Sequence, residues 1–113
     1  MDELPKAGWV ETVRLLFDYL SQYRVEGDSM MPTLKPGARV LVDEKAKVRA
    51  RDIVIARHPF KSNVIIVKRI REIDANGNYF LISDNPEDST DSRTFGAVSS
   101  NRIIGKVVSR LTD

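Results

Sequence analysis

Hydrophobic positions follow two different rhythms along the 113-residue chain. Between residues 5 and 24, Trp9, Val13, Leu16, Phe17 and Leu20 recur at intervals of three and four, while Glu11, Arg14 and Asp18 face away. That spacing predicts an amphipathic helix. From residue 38 onward the rhythm shortens. Runs rich in Val and Ile at 38–42, 53–57, 64–73, 79–83 and 103–111 are separated by Pro, Gly, Asn and Asp, which predicts five strands. The segment Asp74-Ala75-Asn76-Gly77-Asn78 carries an Asn-Gly pair suited to a turn with positive φ, and so joins two of these strands as a hairpin. Asn85 to Ser100 is polar without periodicity, the character of a functional or disordered loop. The expectation is a mainly β fold: a helical lead-in over 1–24 and one compact domain over 25–113.

Composition narrows the chemistry. Apolar residues make up 42% of the chain and charged residues 30%, the balance of an ordinary soluble globular protein. There is no cysteine, which excludes disulfides, a thiol nucleophile and thiolate metal sites. With His58 as the single histidine, a His-rich metal site is excluded too, and no cofactor is expected. The net charge of +2 gives no case for nucleic acid. The longest unbroken aliphatic run is Val64-Ile65-Ile66-Val67, far short of the roughly 20 residues that span a bilayer. Asp2 and Glu3 replace the basic flank of a signal peptide. The chain therefore reads as soluble and cytoplasmic. The alternative is a peripheral protein touching a membrane surface through the N-terminal helix, although that helix lacks the basic polar face typical of such contacts. Charge is also segregated: nine basic residues and Asp52 lie between Lys45 and Arg71, then six acids and no base between Glu72 and Asp91. Compensation between neighbouring strands and loops accounts for this more simply than a polyanion site.

Three residues invite chemical attention. His58, in Arg57-His58-Pro59-Phe60, follows a strand with no nucleophile elbow nearby, and reads as a loop histidine. Lys68 shares a strand face with Ile66 and Ile70, so it either snorkels at an edge or is buried. Burial lowers a lysine pKa by penalising the charged form, which can leave a neutral amine able to act as a base. Ser29 sits in Gly27-Asp28-Ser29-Met30-Met31-Pro32-Thr33-Leu34, a constrained turn that presents one hydroxyl between apolar neighbours.

The stretch from Gly27 to Leu34 resembles the nucleophile box of the signal peptidase I family, the Ser/Lys proteases that remove N-terminal leader segments. Three further stretches match in order: Arg51-Asp52-Ile53-Val54, then Val67-Lys68-Arg69-Ile70, then Ser83-Asp84-Asn85 followed by Ser89-Thr90-Asp91-Ser92-Arg93 and Phe95-Gly96. The resemblance implies a signal-peptidase/LexA-like catalytic β core of coiled antiparallel sheets. It makes Ser29 the nucleophile and Lys68 the general base. Ser89 would orient the lysine amine, Asp91 and Arg93 would form a supporting ion pair, and Asp84 would stand in the same shell. The Ser29 backbone N–H would be an oxyanion donor. Gly27 stands where many family members place a serine as second donor, and Ser83 stands where the family usually has glycine. Val25, Met30, Leu34 and Val67 match the lining of the pocket for the small residue before the scissile bond, a role compatible with core packing. Among family members the chain is most similar to the small soluble ones that mature nickel-type superoxide dismutase. The implied partner is thus a protein precursor with an N-terminal pro-segment, and the nickel belongs to that substrate. The alternatives are a leader peptidase acting at a membrane surface, a self-cleaving LexA-like regulator, disfavoured by the complete C-terminal box, and a non-catalytic binding module that keeps the fold.

Overall fold

The computed structural model describes residues 20–88 and 90–112. Six strands form one sheet: β1 (Ser21–Arg24), β2 (Arg39–Asp43), β3 (Ile53–Arg57), β4 (Ile65–Ile73), β5 (Tyr79–Ile82) and β6 (Ile103–Arg110). Their spatial order is β1-β2-β6-β3-β4-β5, and every paired neighbour is antiparallel. A one-turn helix, α1 (Ser92–Phe95), and a 3-10 turn at Ser100–Arg102 lie between β5 and β6.

Five of the strands coincide with the five Val/Ile-rich runs. The sixth does not. Residues 5–19 of the expected helix lie outside the described residues, and its last residues, Ser21–Arg24, form β1 against β2 instead of a helical turn. Here the pattern has period two: Ser21 and Tyr23 are half-buried, whereas Gln22 and Arg24 are exposed. The three-and-four spacing ends at Leu20, which is buried. The 85–100 segment also has more structure than its polarity suggests. Val98 is buried and bridges Tyr79 through reciprocal backbone hydrogen bonds of 2.7 and 2.8 Å.

The central strand explains how the core is divided. Ile53 and Ile55 face a cluster with Val25, Met30, Leu34, Ala38, Val40, Val42 and Val107. Val54 and Ala56, on the opposite face, pack with Ile70, Leu81 and Val98. A strand buried on both sides reads as an unbroken apolar run, as Ile53-Val54-Ile55-Ala56 does. The long connection from β1 to β2 supplies the first cluster with Met30 and Leu34. It is closed at its base by Val25 N–H to Ala38 O and Gly37 N–H to Val25 O, both 2.8 Å.

Two backbone features set register. In the β4–β5 turn, Gly77 has φ 79°, and Asp74 Oδ1 accepts from the N–H groups of Asn76 and Asn78 at 2.9 Å. Beyond the turn a bulge intervenes: Glu72 pairs with Phe80, but Ile70 pairs with Leu81, so Arg71 is the extra residue of β4. Its guanidinium lies over the Phe80 ring, 4.2 Å from the centroid.

At Gly105, β6 packs closely on β2. A Cβ at this position would sit 2.7 Å from Val42 Cγ1 and 2.9 Å from the Asp43 carbonyl oxygen. Gly105→Ala is therefore expected to destabilise the fold by about 2 kcal/mol through overpacking against backbone that cannot yield. A urea-unfolding midpoint equal to or above that of the parent would contradict this close approach.

Candidate active site

Strand β4 supplies the lysine. Lys68 pairs with Val54 and alternates with Ile66 and Ile70 on the face of the second cluster, so its four-carbon stem lies in apolar surroundings and the residue is only 3% exposed. Snorkelling is ruled out. Desolvation pulls the Lys68 pKa below its ordinary value, against the opposing pull of Asp88 and Asp91, with Arg93 adding to the lowering. Nζ donates to Ser83 Oγ at 2.9 Å.

Ser29 is presented by the turn before Met30. The turn is closed by Met31 N–H to Asp28 O at 3.1 Å and Leu34 N–H to Met30 O at 2.9 Å. Met30 and Leu34 are fully buried in the first cluster and anchor the turn from below. The segment after β5 holds it from the side. Asn85 N–H donates to the Ser29 carbonyl at 2.9 Å, Asn85 Nδ2 donates to the Asp28 carbonyl at 3.1 Å, and Thr33 Oγ1 donates to Asp84 Oδ2 at 2.6 Å. Asp84 is in turn gripped by Arg69, Nε to Oδ1 at 2.8 Å and Nη2 to Oδ2 at 2.7 Å. A planar guanidinium fits a carboxylate in this two-point manner, which fixes orientation as well as charge. Burial alone would raise the Asp84 pKa; the hydrogen bonds from Arg69 and Thr33, with the Arg69 charge, outweigh it and hold the carboxyl below its ordinary value.

Ser29 and Lys68 both line a cavity of about 560 Å³. Because β5 pairs with β4 only from Arg69 onward, the backbone edge of β4 at Ile65–Ile66–Val67–Lys68 opens onto this cavity, opposite the segment from Tyr23 to Ser29. Val25 and Val67 line it, while Met30 and Leu34 lie in the packed core beneath. Gly27 lines it at φ 73°, in the left-handed region that favours glycine. Asp91 is fully buried at the N-terminus of α1. It accepts from Ser83 N–H at 2.8 Å, from Arg93 N–H at 3.0 Å, and from the Arg93 guanidinium at 2.9 and 3.0 Å. Ser89 lies outside the described residues. Among the described residues no group of His, Asp and Glu is placed to hold a metal ion.

The Peptidase S24-like profile matches residues 18–108, nearly the whole described fold and both Ser29 and Lys68. The chain belongs to the Peptidase S24-like family. This S24-like chain is also 30% identical, over 88% of its length and 78% of the relative's, to mitochondrial inner membrane protease subunit 1 of Schizosaccharomyces pombe. It is 27% identical to the protein of the same name from Xenopus tropicalis, over 84% of the chain and 71% of the relative. It is 29% identical to mitochondrial ATP-independent inner membrane protease subunit 1b of Arabidopsis thaliana, over 75% and 66%. Family and relatives together support a peptidase. Among the described residues of the S24-like chain no helix is long and apolar enough to cross a membrane.

Some site residues escaped sequence reasoning. His58, read as a loop histidine, lines the cavity. Its Nδ1 accepts from the N–H groups of Phe60 and Lys61 at 3.1 and 3.2 Å, and its ring lies 5.0 Å from that of Phe95. Desolvation, then the charges of Lys61 and Lys68, hold its pKa below the ordinary value. Asp88, another lining residue, accepts from Thr90 N–H at 2.9 Å and from the Thr90 hydroxyl. Ser83 is the third. Counting back from the Asn-Gly turn places Asp84, not Ser83, across from Lys68, and only the bulge at Arg71 moves the register by one. Nothing in the local sequence announces a bulge.

Proposed function

We propose that this peptidase is a Ser/Lys endopeptidase that removes an N-terminal segment from a protein precursor. The observation that carries the reading is a buried, desolvated Lys68 amine lining the same cavity as Ser29. A neutral amine can take the proton of the Ser29 hydroxyl as Oγ attacks the scissile carbonyl, giving an acyl-enzyme and a new amino terminus. The ammonium so formed returns its proton to the leaving nitrogen, and the neutral amine then activates the water that releases the acyl segment. Among the described residues no backbone acceptor takes the Ser29 N–H, which suits it to an oxyanion donor. Gly27 brings no side-chain donor to complement it. Val25 and Val67 give the cavity an apolar wall for a small residue before the scissile bond. Ser89, on the resemblance, joins the groups around the lysine, with Asp91, Arg93 and Asp84 supporting the framework.

The finer substrate reading, a nickel-type superoxide dismutase precursor, is carried by the signal peptidase I resemblance alone. A second reading, a leader peptidase at a membrane surface, is favoured by the relatives, which are named as inner membrane protease subunits. It is also favoured by the cavity lip, where Val64 and Ile65 are exposed beside Lys61 and the 76%-exposed Phe60. Co-expression with each class of precursor, followed by N-terminal sequencing, separates the two substrate readings. Ser29→Ala is expected to leave the precursor intact, a loss of about 10³-fold or more. Continued cleavage at the same bond by the folded variant would remove Ser29 as nucleophile.

A further inference from the structure

Lys68 presents a problem that burial alone does not solve. A neutral amine has two N–H bonds and one lone pair, and only the lone pair can accept the Ser29 proton. An amine free to rotate about its terminal bond would spend much of its time with the lone pair aimed elsewhere. The structure provides a fixed acceptor for one N–H in Ser83 Oγ, 2.9 Å from Nζ. Ser83 is itself 6% exposed. Its backbone is pinned because its N–H donates to Asp91 Oδ2 at 2.8 Å, and Asp91 is fully buried and held by Arg93. Oγ is thus attached to a part of the chain that has little freedom to move. Arg51 is the one non-glycine residue described with positive φ, so Ser83 holds its place in ordinary backbone geometry.

We infer that Ser83 is a positioning residue for Lys68: by occupying one N–H of the buried amine, its hydroxyl turns the lone pair toward the cavity that Ser29 lines. The inference rests on the Ser/Lys reading above. The hydroxyl has a second consequence. An acceptor beside Nζ favours the ammonium over the amine, so removing it lowers the pH at which Lys68 loses its proton.

The test compares Ser83→Ala, Ser83→Thr and Lys68→Met with the parent. Two readouts serve. One is cleavage of a quenched fluorescent peptide with alanine before the scissile bond, followed across pH. The other is the 13Cε chemical shift of Lys68, titrated by NMR and assigned by its disappearance in Lys68→Met, which needs no substrate. Ser83→Ala is expected to lower kcat about tenfold with KM little changed. It should also move the Lys68 titration and the acid limb of the rate profile about half a unit to lower pH. Ser83→Thr, which keeps the hydroxyl, should restore both. A merely space-filling Ser83 would leave the titration where it was. An inactive Lys68→Met beside a fully active Ser83→Ala with an unmoved titration would overturn the positioning role alone. Cleavage by Lys68→Met would instead remove the base, and the positioning role with it.

Discussion

Replacing Lys68 with methionine is expected to abolish cleavage, by about 10³-fold or more, in a protein that is at least as stable as the parent at neutral pH. Methionine matches the length and apolar stem of lysine and tolerates irregular packing, so the space among Val54, Ile66 and Ile70 stays filled. The stability claim follows from the sign of the shift. Desolvation lowers the Lys68 pKa in the folded state, so between that value and the ordinary lysine value the unfolded chain binds more protons. Unfolding free energy therefore rises with pH across this window, and below it the folded protein carries the full cost of a buried ammonium. Methionine removes that cost. For activity the sign is the same: the amine must be neutral to act, so cleavage by the parent declines as pH falls through the folded pKa. Asp88 pulls this value up, and Asp88→Asn should move the acid limb to lower pH. Thermal unfolding and the rate profile check both halves. A Lys68→Met protein that cleaves, or that unfolds well below the parent, would contradict the account.

The second large effect is expected at Asp84. Asp84→Ala leaves the Arg69 guanidinium without its two-point partner and Thr33 without its acceptor, both at the base of the Ser29 turn. The Arg69 and Asp84 side chains are 16% and 13% exposed, so solvent compensates only in part. The loss of stability should be about 3 kcal/mol, since removing one member of a largely buried pair strands the other's charge. Activity should fall further than the folded fraction accounts for, because the same contacts hold the nucleophile's loop. The pH dependence has the same sign as that of Lys68 but lies in the acid range, and here it is the charged form that stabilises the fold. Asp84 has a depressed folded pKa, so its stabilisation is present above about pH 4, the range of an unperturbed aspartate, and is lost as pH falls through the folded value. The parent and Asp84→Ala should therefore converge in stability under acid. A constant gap between them from pH 7 down to acid unfolding would show that the carboxylate contributes no charge-dependent stability.

The strands were legible because β3 and β6 are dense in Val and Ile and the turns carry Gly, Asn and Asp. The place of Lys68 between Ile66 and Ile70 left snorkelling and burial both open, and the packing around its stem decides for burial. β1 was hidden by its neighbour: the helical spacing that ends at Leu20 runs without a break into Ser21-Gln22-Tyr23-Arg24, whose two half-buried positions are polar or aromatic. The Asp84–Arg69 clamp links strand β4 to the segment after β5, and its bidentate form depends on distances that no linear pattern encodes. His58 looked bland because its cavity is assembled from segments up to thirty or more positions away, from Tyr23 to Thr90.

The extra residue in β4 also has a meaning for how this hairpin tolerates a slip of register. With Arg71 bulged, Ile82 pairs with Arg69, and the next step sets a hydroxyl across from the lysine amine. Were the same strand to pair without the bulge, the count from the Asn-Gly turn would set the Asp84 carboxylate there instead. The ladder would survive such a slip with nearly the same number of backbone bonds. The amine, however, would face an anion, stay protonated at neutral pH, and lose its capacity to accept a proton. Arg71 does not line the cavity that Ser29 and Lys68 share, yet the bulge it forms keeps a salt bridge from forming where a base is needed.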